Sequence, residues 1–188
     1  MKEILYIHGY NSSGGTGRSL EKMLNGKYKV HHFPIPKNAD DAFNEVNNYL
    51  NKHKNISLVV GSSLGAFITS RINGYLKLMI NPCMFPSVEL PKLGCDKSIS
   101  ESYIKYENNT EFLDYEERAS SFLMFGTKDE LFDYSGICKI MYNKKNISII
   151  PNGHHRVSEE ELEKYVIPQI DFILNEYSPK LYEHFNII

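Results

Sequence analysis

The segment Leu58-Val59-Val60-Gly61-Ser62-Ser63-Leu64-Gly65-Ala66-Phe67 constrains the fold of this chain more than any other. A β-rich apolar run leads into Gly-x-Ser-x-Gly, and a helical pattern over 64–74 follows directly. A chain that turns this sharply from strand to helix holds the serine at its tip in a strained conformation. Side chains two residues to either side would collide there, and Gly61 and Gly65 supply the room. The turn exposes the Ser63 hydroxyl at the carboxyl edge of a sheet, with the positive end of the next helix aimed at it. A Gly/Ser-rich turn without chemistry has the same composition, so the other elements decide between the two readings.

Those elements alternate. Apolar, β-rich runs at 2–8, 28–33, 56–60, 76–80, 121–125 and 146–150 read as strands. Helical patterns fall at 18–26, 40–54, 64–74, 134–142 and 158–177. In the second of these, Ala42, Phe43, Val46, Tyr49 and Leu50 recur at helical spacing, and the last opens with the capping pair Ser158 and Glu161. The alternation predicts an α/β fold, a parallel sheet of about six strands with helices on both faces. At 188 residues the chain fits a single domain, 1–188. Residues 84–120 break the rhythm, with Pro86, Pro91 and Gly94 followed by Tyr103, Tyr106, Phe112 and Tyr115. So long a segment between two strands predicts a small lid insertion over the strand ends, its four aromatic residues lining an apolar pocket.

A serine hydroxyl is a poor nucleophile unless a base lies within hydrogen-bond reach and an acid orients that base. Serine, acid, histidine is the chain order of the α/β-hydrolase fold, and both later groups follow a predicted strand here. The fifth strand runs into Phe125-Gly126-Thr127-Lys128-Asp129-Glu130-Leu131, which makes Asp129 the candidate acid, with Asp133 and Glu130 as rivals. The sixth runs into Pro151-Asn152-Gly153-His154-His155-Arg156. His155 is the candidate base, because a Gly-x-His loop places the histidine two residues after the glycine; His154 is the alternative. Acyl transfer also develops negative charge on oxygen, which preorganised backbone N–H groups stabilise. The N–H of Leu64, after the nucleophile, and that of Tyr10, in the loop after the first strand, are the candidates. His8, at the end of that strand, reads as structural support. The nearby run Gly14-Gly15-Thr16-Gly17-Arg18-Ser19 lacks the lysine and the first glycine of a phosphate-binding loop.

Composition narrows the partners. The formal net charge is -2, with both signs interspersed, so no basic stripe tracks a nucleic acid backbone. No apolar run approaches the roughly 20 residues of a membrane span. The first residues carry an acid and read as a strand, without a signal peptide, and point to the cytoplasm. Cys83, Cys95 and Cys138 are odd in number and form no CxxC pair, so neither a disulfide framework nor a zinc site is indicated.

Taken together, the motifs resemble the small bacterial esterase family of YqiA/YcfP type, a compact branch of the α/β hydrolases. The resemblance rests on His8-Gly9-Tyr10-Asn11-Ser12-Ser13, Gly61-Ser62-Ser63-Leu64-Gly65, Asn81-Pro82, Asp129-Glu130 with Asp133-Tyr134, and Gly153-His154-His155, in that order. It implies an esterase-like enzyme with Ser63, Asp129 and His155 as triad, on a sheet lacking the extra N-terminal strands of larger hydrolases. The expected activity is cleavage of small-molecule carboxylic esters or thioesters through an acyl-enzyme, with no metal or organic cofactor. The alternative is a non-catalytic module on the same fold that binds a small ligand or a protein.

Overall fold

The computed structural model describes residues 1–177; the expected domain continues over 178–188, which lie outside the described residues. All six predicted strands form: β1 (Glu3–Ile7), β2 (Lys29–Phe33), β3 (Ile56–Ser62), β4 (Leu76–Ile80), β5 (Ser121–Gly126) and β6 (Ile147–Ile150). They pair in parallel in one sheet, in the order β2-β1-β3-β4-β5-β6. The chain thus starts one strand in from the edge, steps outward to β2, and returns to build the other side from β3. The loops after β1 and β3 leave the carboxyl edge toward opposite faces, which opens a crevice where α/β sheets bind ligands.

Alternate residues of each strand face opposite sides, and both sides are apolar. On one, Ile4, Tyr6, Leu58, Val60, Leu78, Ile80, Phe122, Met124 and Ile150 pack against helix α1 (Gly15–Leu24) and the C-terminal helical segment. On the other, Leu5, Ile7 and Val59 meet α2 (Ala39–Lys52) and α3 (Leu64–Ser70). This two-sided burial is why the strands read as near-continuous hydrophobic runs. Local signals fix the helix ends. The Asn38 side chain accepts from Asp40 N–H at 2.9 Å to cap α2, and Ser158 and Glu161 form a reciprocal capping box.

Two elements differ from expectation. The C-terminal helix is not uniform: α-helical turns at Glu159–Glu161 and Ile167–Asn175 flank a π-helical stretch, Leu162–Val166. Pro168 explains this, since it cannot donate to the preceding turn and its ring crowds the carbonyl there. The insertion at 84–120 forms short helical pieces: α4 (Pro86–Glu89), α5 (Lys97–Glu101), α6 (Ile104–Glu107), α7 (Tyr115–Ala119) and two 3-10 turns. Tyr103, Tyr106, Phe112 and Tyr115 do not line the cavity at the carboxyl ends of the strands, beside Ser63. Tyr103 is fully buried edge-on to Phe67, 6.0 Å between centroids, and donates to the Lys37 carbonyl at 3.2 Å. Tyr106 stacks on Phe43 of α2 at 3.8 Å and donates to Asp40 at 2.7 Å. Phe112 lies under the Arg71 guanidinium at 3.7 Å, and Tyr115 is 63% exposed.

The reason lies in α3, whose seven residues are all buried. It needs cover on its outer flank as well as on the sheet, and the insertion supplies it. Arg71, just past α3, joins the two layers: its guanidinium sits over Phe67 and Phe112 and donates to the Tyr106 carbonyl at 3.1 Å. Burial pulls the pKa of Arg71 down to about 10. A second tie is the pair between Lys77, wholly buried in β4, and Glu117 of α7. No helix among the described residues is long and apolar enough to cross a membrane.

Candidate active site

Ser63 occupies the expected elbow. It lies between β3 and α3 with φ 55° and ψ -120°, a region that costs a non-glycine residue about 1–3 kcal/mol. Its surroundings hold it there: its N–H donates to the Ile80 carbonyl at 3.0 Å, and its carbonyl accepts from Cys83 N–H at 3.1 Å. The two flanking glycines are sterically required. A Cβ on Gly61 would sit 2.3 Å from the Gly65 carbonyl oxygen, and one on Gly65 would sit 2.2 Å from the Ile7 carbonyl oxygen.

The loops after β5 and β6 bring the other two groups together. Asp129 Oδ2 lies 2.9 Å and Oδ1 3.1 Å from His155 Nδ1. The Asp129 side chain is only 5% exposed, and that of His155 13%. The carboxylate is itself held by the N–H groups of Leu131 at 2.8 Å and Phe132 at 3.0 Å, and the Phe132 ring packs edge-on to the imidazole at 4.9 Å. With Nδ1 tied to the acid, Nε2 is the ring nitrogen left for other work. Ser63 and His155 line one cavity of about 190 Å³, together with Tyr10, Ile80, Leu93, Leu131 and Arg156. Among the described residues the Ser63 hydroxyl makes no hydrogen bond. Contacts of that kind often tighten only when substrate is present.

The rival groups have other partners. His154 points outward, 63% exposed, with Nδ1 3.2 Å from Glu130. Glu130 accepts from the backbone N–H of His155 at 3.1 Å, and this bond leads the causes that lower its pKa. Asp133 accepts from the N–H and hydroxyl of Ser135, at 3.2 and 2.8 Å, at the start of α8 (Ser135–Met141).

The loop after β1 presses against the elbow, with a Cβ on Gly9 falling 3.1 Å from that of Ser63. The N–H groups of Tyr10 and Leu64 have no hydrogen-bond acceptor among the described residues. His8 is buried at the root of this loop. Burial, with His32 and Arg18 nearby, pulls its pKa from 6.5 to about 4, so the ring is neutral at ordinary pH. Cys83, Cys95 and Cys138 are free and buried.

Two things were missed from sequence. The insertion contributes Leu93, a residue in none of the aromatic positions, to the cavity wall. Asn81, which the sequence offers only within the Asn81-Pro82 motif of the resemblance, is buried with φ 45° and bonds to both the acid and histidine loops. An Asn-Pro pair directly after a strand, at a point where polar side chains are rarely buried, was the available signal.

The sheet order, the elbow and the acid–histidine pair define an α/β-hydrolase fold. The chain belongs to the uncharacterised protein family UPF0227, whose family model matches residues 3–173, and which is the YqiA/YcfP-type family that the motifs indicate. No curated protein matches it by sequence. Among solved structures it is similar to a monoacylglycerol lipase from Paleococcus ferrophilus (14% identity, TM-score 0.63, covering 92% of this chain and 94% of that one). It is also similar to the esterase domain of a Rhodothermus marinus protein (13%, TM-score 0.64, 90% and 86%). A third is an epoxide hydrolase from Bacillus megaterium (11%, TM-score 0.58, 94% and 94%). At such identities the likeness concerns the fold, and the chemistry must be argued from the site.

Proposed function

We propose that this protein is a serine hydrolase that cleaves small carboxylic esters or thioesters through an acyl-enzyme. The observation that carries this reading is the 2.9 Å pairing of nearly buried Asp129 with His155 in the cavity that holds the strained Ser63. Ser63 Oγ attacks the acyl carbon while Nε2 of His155 takes its proton. Asp129 fixes the tautomer and stabilises the imidazolium. The oxyanion is held by the N–H groups of Tyr10 and Leu64, each such donor contributing about 2.7–4 kcal/mol in related sites. The imidazolium then protonates the leaving alcohol or thiol, and a water activated by His155 frees the acid and Ser63.

The cavity walls support a short acyl group, since Ile80, Leu93 and Leu131 bound a space of only about 190 Å³. A panel of p-nitrophenyl esters of rising chain length, with acyl-CoA thioesters alongside, tests the reading. Turnover that peaks at short chains and disappears in Ser63→Ala is expected. No turnover on any member by the folded wild type contradicts it and favours a binding module.

A further inference from the structure

We infer that Asn81 is a positioning residue that sets the spacing between nucleophile and base; this rests on the proposed triad. Its amide Nδ2 donates to the carbonyls of His154 at 2.9 Å and His155 at 3.0 Å. Its Oδ1 accepts from Gly126 N–H at 2.8 Å, and its own N–H donates to the Met124 carbonyl at 2.9 Å. One side chain thus joins the end of β5 to the loop that carries the imidazole. The preceding residue, Ile80, receives the Ser63 N–H at 3.0 Å. Adjacent residues of one strand end therefore hold the nucleophile on one side and the base on the other.

The rest of the junction leaves Asn81 little freedom. Gly126 packs directly on Gly153, where a Cβ would fall 2.3 Å from the Gly153 carbonyl oxygen, and Lys128 N–H donates to that oxygen at 2.8 Å. The acid loop and histidine loop are locked to each other, so the pair moves as a unit. Asn81 supplies the side-chain bonds that tie this unit to the strand end holding Ser63. Its positive φ is one that asparagine adopts more readily than most residues. A buried amide with both donors used and its oxygen paired is costly to disturb, and reacting groups displaced by about 1 Å can lose 10²-fold in rate.

The fold contains its own control. At the opposite ends of the same strands, Asn146 Nδ2 donates to the carbonyls of Ala119 at 3.0 Å and Ser121 at 3.1 Å. Asn81→Gly removes the side-chain bonds while tolerating the positive φ. Asn146→Ala removes an equivalent pair far from the site. Both variants should lose thermal stability to a comparable degree. Only Asn81→Gly should slow the labelling of Ser63 by a fluorophosphonate, by about 10²-fold, whereas Asn146→Ala should stay within about twofold of wild type. Asn81→Asp keeps the acceptor for Gly126 but loses both donors, and should be slowed as well. Equal labelling of the Asn81 and Asn146 variants overturns the inference. A second readout does not depend on catalysis: the ring 15N shifts of His155, observed through its carbon-bound protons. Wild type, Asn146→Ala and Asn81→Gly should all show one locked tautomer, because Asp129 and His155 move together and only their distance to Ser63 changes. An averaged tautomer in Asn81→Gly would mean that Asn81 holds the histidine against the acid rather than against Ser63 and overturns the inference, while a wild type that takes no label at all contradicts the proposed function instead.

Discussion

His155 and His154 are chain neighbours with opposite surroundings, and the contrast yields the sharpest residue-level test. His155→Ala should lose about 10²–10⁴-fold in ester turnover, the usual cost of removing a general base, while the solvent-facing His154→Ala should keep at least about a tenth. A reversal in steady-state rates reassigns the base. The acid is tested the same way. Asp129→Asn is nearly isosteric and should stay folded, but it cannot stabilise the imidazolium, so turnover should fall at least about 10²-fold. Asp133→Asn should disturb only the start of α8. Ser63, Asp129 and His155 stand out as candidates in the sequence because each sits in a short motif just past a strand. Asn81 could not be assigned its role that way, since that role exists only where three strand ends meet.

Among elements, the insertion at 84–120 shows where sequence reading stops. Its location between β4 and β5 was legible from the break in the strand–helix rhythm. Its packing was not, because aromatic content alone does not distinguish a pocket wall from a cover over α3. The cover depends on buried charge at its C-terminal end. Lys77 has no exposed side-chain surface, and Glu117 also accepts from Gly74 N–H at 2.8 Å. Glu117→Ala leaves a buried cation unpaired and should destabilise the fold by about 3–5 kcal/mol in urea titrations. The double variant Lys77→Met/Glu117→Ala should recover most of that loss, and a double variant no better than the single one would show that the charge is not the cause. On the cavity side, Leu93→Ala should shift the ester panel toward longer chains, since it is the insertion residue at the wall.

On the scale of the whole molecule, the sheet order decides what the site can be. The order of strand addition reverses at β1 and β3, and because all six strands are parallel the Tyr10 loop, the elbow and both later loops leave one edge. The existence of the six strands was legible because buried parallel strands read as apolar runs. The π-helical stretch was not, since the amphipathic pattern passes through it and only Pro168 interrupts the ladder. The same edge carries a pH dependence. His8 has its folded pKa lowered from 6.5 to about 4, so the unfolded chain binds more protons between those values. The stability from neutral His8 is therefore complete above about pH 6.5 and is lost as the pH falls toward 4. Thermal melts across that window should decline more steeply for wild type than for His8→Gln; parallel declines would contradict the assignment. The most direct measurement of the central claim is intact-mass spectrometry after exposure to a fluorophosphonate. Wild type should gain a single adduct, mapped to Ser63, and folded Ser63→Ala should gain none. An adduct that persists in Ser63→Ala, or a wild type that takes up no label, would contradict the assignment of Ser63 as the nucleophile.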